Sequence, residues 1–397
     1  MASPPHPDSR STPLDAEPGL PLDFGHDGTG WPTRPDDEPA AEEVVLDQKG
    51  ALCPPRTEPT SGSRTRPDLY AALDLGTNNC RLLIARPTGE GLQVVDSFSR
   101  IVRLGEGLST TGRLCQAAID RTFAALAICR DKIENRGVTR SRLIATEACR
   151  AAENGPAFLD SVRQRTGLEV EIVDRGTEAS LAAEGCAALA DDRAEAVVLF
   201  DIGGGSSEIV WLDRDRSDDG SGPVRDRIRA WTSLPLGVVS LADRFGGVDV
   251  TPECFGAMVR YVEAELAPFA AQVKAQHRCG KFHLLGTSGT VTTVAGVFLG
   301  LGRYDRRRVD GLWMSHADVD EAIRRMRAMS FDARVAHGCI GPDRADLVLG
   351  GCAILEALRR TFPSDRLRIA DRGLREGILI QMMCRDGVWP SRSTRGA

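Results

Sequence analysis

The chain has 397 residues, 42% of them hydrophobic and 27% charged, with a formal net charge of −6. That length suggests two or three domains, and the composition suits a globular protein able to bury a sizeable core. Residues 1–67 carry 12 acidic and 6 basic side chains, so the remainder is balanced; this gives no reason to expect a nucleic-acid binder, and no stretch is long and apolar enough to span a membrane.

The same first 67 residues hold 13 of the 22 prolines and no sustained apolar period. Proline, low hydrophobicity and net charge predict a disordered acidic tail. It has neither the basic and apolar regions of a secretory signal nor the basic character of a transit peptide. The eleven cysteines are scattered with no C-x-x-C pair, a pattern of reduced thiols in a cytoplasmic protein. Cys149 beside Arg150 lacks the C-x5-R loop of a phosphatase nucleophile and reads as buried.

Folded structure is expected from about Leu69. "DLYAALDLG", "CRLLIARP" and "LQVVDSFSRIVRL" read as three successive strands, and "LCQAAIDRTFAALAICRDKIENRG" as a helix ending at Gly137. "SRLIA" and "LEVEIVD" are strands, each followed by a helix, the second being "GTEASLAAEGCAAL". "EAVVLFDIGGGSSEIVWL" is a strand-turn-strand hairpin and "DRSDDGSGPVRD" an exposed loop. Two long helices flank "KFHLLGTSGTVTTVAGVFLGL", itself a strand, a Gly/Ser/Thr turn and a helix. Helix, strand "RLRIAD" and helix "GLREGILIQMM" close the chain. The arginine runs "RYDRRRVD" and "RRMR" read as solvated faces.

One echo organises this list. Asp74-Leu75-Gly76-Thr77-Asn78 and Asp201-Ile202-Gly203-Gly204-Gly205-Ser206-Ser207 each lie between two apolar strands. A repeat at domain spacing predicts two similar halves, each presenting a Gly-rich hairpin to a shared cleft. Glycine lets backbone N–H groups approach an anion closely, and Thr77, Asn78, Ser206 and Ser207 add side-chain donors. Acids repel phosphate, but Asp74, Asp201 and Glu208 can hold Mg²⁺ or another divalent cation, which takes oxygen ligands and bridges to phosphate. Gly286, Ser288 and Gly289, before a helix, form a third candidate anion site. A single Asp-x-Gly turn would be an ordinary hairpin; two matching turns and a third Gly/Ser/Thr turn favour phosphate binding.

The chain resembles the exopolyphosphatase / guanosine pentaphosphate phosphohydrolase (Ppx/GppA) family. The matching pieces include "AALDLGTNNCRLLIA", "RLGEGL", "ATEACRAAENG", "VEIVDRGTEASLA", "LFDIGGGSSEIV", "LPLGVVSLADRF", "LLGTSGTVTTVAGV", "RADLVLGGCAIL" and "IADRGLREGILI", in the family's order from Leu69 to Met383. The resemblance implies an α/β fold of two ribonuclease-H-like domains of the acetate kinase/actin/Hsp70 superfamily around a central cleft. With the composition-defined tail at 1–67, domain I is expected at 68–175 and 374–387, and domain II at 176–373. It implies phosphate binding at Gly76-Thr77-Asn78 and at Gly203 to Ser207, metal binding at Asp201 and Glu208, and a water-activating base at Glu178. Thr177 stands where the family has an acid. Arg150 is implied to contact substrate phosphate. The extra C-terminal helical region of longer relatives is not expected here. The implied activity is metal-dependent release of terminal phosphate from polyphosphate, or alternatively from guanosine pentaphosphate. A kinase of the same superfamily and a non-catalytic sensor are the competing classes. The expected partner is a polyanionic phosphate substrate, with a homodimer as the assembly considered and neither nucleic acid nor membrane.

Overall fold

In a computed structural model of the chain, the residues described are 68–89, 91–213, 223–276 and 281–389, with two short strands nearer the N-terminus. The strands are β1 (Val44–Asp47), β2 (Leu52–Cys53), β3 (Tyr70–Leu75), β4 (Asn79–Thr88), β5 (Gly91–Ile101), β6 (Arg140–Ala145), β7 (Val170–Ile172), β8 (Ala196–Ile202), β9 (Ser207–Asp213), β10 (Ile228–Leu234), β11 (Phe282–Thr287), β12 (Trp313–Ser315) and β13 (Arg366–Ala370). They form two sheets, ordered β2-β1-β5-β4-β3-β6-β7 and β10-β9-β8-β11-β13-β12.

The segments β5-β4-β3-β6-β7 and β10-β9-β8-β11-β13 have the same order: an antiparallel three-strand meander whose first strand in sequence then pairs in parallel with a later one. This is the ribonuclease-H-like arrangement, present twice. The central strands β3 and β8 are covered on both faces and are therefore near-continuous apolar runs. In each, the one residue that is not buried is the acid, Asp74 or Asp201.

Each sheet has an outer and an inner core. The first sheet's outer face packs on helices Gln116–Arg136 and Gly155–Thr166 through Phe123, Leu126, Phe158 and Val162. The second sheet's outer face packs on helices Pro252–Gln276, Ser288–Phe298, His316–Ala328 and Val348–Thr361. Fully buried side chains such as Leu73 and Phe200 contribute about 1.5–3 kcal/mol each. Two helices fill the inner faces. Arg175–Cys186, which carries Glu178, packs on the second sheet, and the C-terminal helix Leu374–Arg385 packs on the first. These two helices touch backbone to backbone. A Cβ at Gly185 would lie 1.9 Å from the Gly373 carbonyl oxygen, and one at Gly377 would lie 1.9 Å from that of Leu181. The crossing closes the floor of the cleft.

Several expectations differ from what is observed. Inside the segment expected to be structureless, Val44–Asp47 pairs antiparallel with the outer edge of β5 and with Leu52–Cys53; β5 would otherwise leave edge N–H and C=O groups unpaired there. Strands β10 and β12 were not anticipated. The first has a weak alternation with Trp231 exposed, and the second is three residues long, too short to show a period. Most of the anticipated "DRSDDGSGPVRD" loop lies outside the described residues.

Candidate active site

Both Gly-rich hairpins deliver their acids by register. Asp201 stands directly opposite Glu208 across β8 and β9, so the two side chains share one face of the sheet. At the same register in the first hairpin, Asp74 stands opposite Arg81. The turns are closed by Gly76 N–H donating to Asn79 O at 2.9 Å and Gly203 N–H donating to Ser206 O at 3.0 Å.

The two turns meet across the cleft. A Cβ on Gly204 would come within 3.0 Å of Thr77 Cβ and 3.1 Å of Asn78 N, and one on Gly205 within 2.7 Å of Thr77 Oγ1. The absence of a Cβ at Gly204 and Gly205 is what permits this approach. These glycines let the two halves close onto each other.

The space enclosed consists of two adjoining chambers. The smaller, ≈ 110 Å³, is lined by Gly76, Thr77 and Asn78 from one turn, by Gly203, Gly204, Gly205 and Ser206 from the other, and by the carboxylates of Asp74, Glu178, Asp201 and Glu208. Ser288 and Gly289 line it too. The larger, ≈ 490 Å³, shares Asp74, Arg81, Asp201, Ser288, Gly289 and Arg344 with the first and extends to Arg306 and Arg375. Ser288 has φ 82, a left-handed backbone uncommon for a non-glycine residue and a mark of strain held in place by its surroundings.

Burial raises the carboxylates. Glu178 is pushed up to about 9 by desolvation and then by Glu208, with Arg150 pulling the other way. Glu208 rises to about 7 by desolvation and by Asp201, and Asp201 to about 6 by desolvation and by Asp74. Ser233 donates to Glu208 Oε1 at 2.8 Å. Among the described residues, no three His, Cys, Asp or Glu side chains converge closely enough to hold a metal ion. Asp74 therefore does not complete a three-carboxylate cage. The cross-strand pair Asp201 and Glu208 nonetheless fits a hard cation such as Mg²⁺, which is usually bound through one or two carboxylates with waters and substrate phosphate.

Glu178 sits in the first turn of its helix because Asp174 caps that helix, accepting from Thr177 N at 2.9 Å and from Thr177 Oγ1 at 2.7 Å. Thr177, the departure from the family pattern, thus supports the cap. Arg150 differs from its expected role. It donates to Glu178 Oε2 at 3.1 Å, to Glu147 Oε2 at 2.5 Å and to the Val173 carbonyl at 2.7 Å. It is not among the residues lining either chamber. Its donors are taken by Glu147, Glu178 and the Val173 carbonyl. Gly286 and Ser207 also lie outside. A Cβ on Gly286 would strike Phe200 at 2.7 Å, and Ser207 donates to the Leu236 carbonyl at 2.9 Å. Cys149 is buried, and that burial pushes its thiol up to about 12.

The cations of the cleft escaped sequence reading. Arg81, Arg344 and Arg375 line it, and among the described residues their guanidinium groups make no hydrogen bond or ion pair. Arg81 had a signal: it occupies the hairpin position corresponding to Glu208. Arg306, expected on a solvated face, lines the larger chamber and pairs with Glu376 at 3.2 Å.

A duplicated ribonuclease-H-like fold, with a Gly-rich turn from each half closing over buried carboxylates, defines a two-domain protein of the actin-like class. The family model for the Ppx/GppA phosphatase family matches residues 83–386, and the chain belongs to that family. It is 29% identical to "Exopolyphosphatase 2" of Mycobacterium tuberculosis over 327 residues, covering 79% of this chain and 98% of the relative. It is 27% identical over 320 residues to "Guanosine-5'-triphosphate,3'-diphosphate pyrophosphatase" of Photobacterium profundum, covering 79% of this chain and 59% of that one. Among solved structures, the Aquifex aeolicus member of the Ppx/GppA family superposes with a TM-score of 0.65 at 27% identity, covering 80% of this chain and 98% of that one.

Proposed function

We propose that the protein is a cytoplasmic phosphohydrolase releasing the terminal phosphate of inorganic polyphosphate by attack of water. The observation that carries this reading is the set of unpaired guanidinium groups, Arg81, Arg344 and Arg375, along the two chambers. Asp74 lies within electrostatic reach of Arg81 and Arg375, but among the described residues no hydrogen bond engages these guanidinium groups, and an anion with charge at regular intervals is the ligand that engages several at once. Thr77, Asn78, Ser206 and the turn N–H groups receive the terminal phosphate, and Arg344 and Arg81 hold the phosphates behind it. In its ionised form, which Arg150 favours, Glu178 accepts the proton of the attacking water. A divalent cation on Asp201 and Glu208, Mg²⁺ by the chemistry of its oxygen donors, would offset phosphate charge and relieve the repulsion among the acids. Phosphoryl transfer depends mainly on such positioning and electrostatics.

The pyrophosphatase relatives favour a second reading, with guanosine pentaphosphate as substrate. Phosphate release from long-chain polyphosphate, tripolyphosphate and guanosine pentaphosphate, measured side by side, decides between them. We expect the larger kcat/KM on polyphosphate; a preference for the nucleotide moves the protein to the second reading. No release from any of them overturns both.

The raised carboxylates make a separate prediction. A cation on Asp201 and Glu208 must displace protons from carboxyls raised to about 6 and about 7, so substrate-free Mg²⁺ affinity should rise from pH 6 to pH 8 with proton release. These acids hold protons in the folded state where the unfolded chain holds none. Metal-free stability should therefore fall as pH rises through that window, and Mg²⁺ should flatten the fall. Calorimetric titration and thermal melts at pH 6, 7, 8 and 9 test this, and Asp201→Asn should weaken both effects. Identical Mg²⁺ titrations of wild type and Asp201→Asn would exclude Asp201 as a ligand.

A further inference from the structure

The loop after β5 joins the two halves of the molecule at one point. Val102 N and Arg103 N both donate to the Asn78 carbonyl, at 2.9 and 3.0 Å, and Gly105 N donates to the Thr77 carbonyl at 2.9 Å. The loop is thereby bound to the first phosphate turn. Its Arg103 side chain crosses to the other half. There Nη1 donates to Asp346 Oδ2 at 2.9 Å, Nη2 to Asp346 Oδ1 at 2.9 Å, and Nη2 also to the Asp343 carbonyl at 3.1 Å. This is a two-pronged guanidinium–carboxylate fork, the geometry that gives arginine its directional hold.

What the fork grips matters more than the ion pair itself. Asp343 and Asp346 bracket Arg344, which lines both chambers. Their segment is anchored from behind by the buried Arg334, which donates to the Ala345 carbonyl at 2.7 Å and the Gly247 carbonyl at 3.0 Å. It is braced within by Leu347 N and Val348 N, each donating to the Arg344 carbonyl at 2.9 Å. Arg103 also has φ 47, a left-handed backbone that a long side chain adopts only where its surroundings enforce it. A strained residue making three cross-cleft bonds is suited to two states, one with the fork made and one with it released.

We propose that Arg103 is a positioning residue: its fork with Asp346 ties the first phosphate turn to the segment presenting Arg344, so that the anion-binding groups of the two halves converge only while the fork is made. The substrate consequence rests on the proposed polyphosphate reading; the structural one does not. If closure is what Arg103 supplies, losing it lowers the fraction of closed molecules and weakens apparent affinity by that fraction. Chemistry in the molecules that do close is unaffected.

The test compares Arg103→Ala, Arg103→Lys, Asp346→Asn and the exchanged pair Arg103→Asp/Asp346→Arg. With tripolyphosphate and Mg²⁺, each single variant should raise KM by about tenfold with kcat within about threefold, and the exchanged pair should return KM most of the way to wild type. Hydrogen exchange without substrate gives an independent reading: the Leu347 and Val348 amides should lose protection in Arg103→Lys, which keeps the charge but not the fork. An unchanged KM with unchanged exchange overturns the proposal. So does an exchanged pair that melts like wild type yet keeps the full KM defect, because Arg103 would then be acting on substrate by itself. If tripolyphosphate is not hydrolysed at all but exchange still responds, the fork stands and the substrate reading falls.

Discussion

Replacing Glu178 with glutamine should lower kcat for phosphate release by about 10²–10⁴-fold, the usual contribution of a general base, with little change in substrate binding. Glutamine keeps the length of the side chain, and its carbonyl can still accept the Arg150 bond seen at 3.1 Å. What it loses is the ability to take a proton. It also removes a carboxyl whose ionisation is opposed by desolvation and by Glu208. The variant should therefore melt no lower than wild type, and its Mg²⁺ affinity should depend less on pH. Those two readouts separate loss of a base from loss of a fold. Turnover near the wild-type rate would remove Glu178 from the mechanism.

The second large effect lies far from any phosphate. Glycine to alanine inside an exposed helix normally stabilises by about 1 kcal/mol. At Gly185 the sign should reverse. The added Cβ would meet the Gly373 carbonyl oxygen at 1.9 Å and its carbon at 2.7 Å, and backbone cannot rotate aside as a side chain can. Forcing the two helices apart should cost about 3 kcal/mol, the upper part of the usual range for overpacking. In a chain of 397 residues that is a fall of about 4 °C in Tm. Thermal melts with and without Mg²⁺ measure it. A variant as stable as wild type would show that the helices do not cross in backbone contact.

Much of the architecture was legible because it is periodic. The strands around Asp74 and Asp201 are long apolar runs ended by an acid and glycines, and their recurrence announced two matching halves. The third meander strand of the second half, β10, was not legible, because its alternation is carried by Ala230 and Thr232 with Trp231 turned outward. The acids and small residues of the cleft could be found in sequence, since Gly-rich turns advertise themselves. The cations could not. Arg344 and Arg375 sit in helical or loop contexts where an arginine is ordinarily solvated, and only the tertiary fold carries them to the cleft. Arg150 shows the opposite limit. Which of its neighbours takes its hydrogen bonds depends on Glu147 and Glu178 meeting across 31 residues of chain.

The matched hairpins differ in one cross-strand partner. Asp201 faces Glu208, whereas Asp74 faces Arg81. A fold built from two copies of one unit has an approximate dyad through its cleft, and a symmetric pocket would let a linear anion lie either way round. Exchanging glutamate for arginine at that position abolishes the degeneracy. One wall now repels bare phosphate and calls for a cation, while the other attracts phosphate directly. A chain of repeating phosphates has no polarity of its own, and on the proposed reading this broken equivalence is one of the differences between the halves that would set which way such a chain lies.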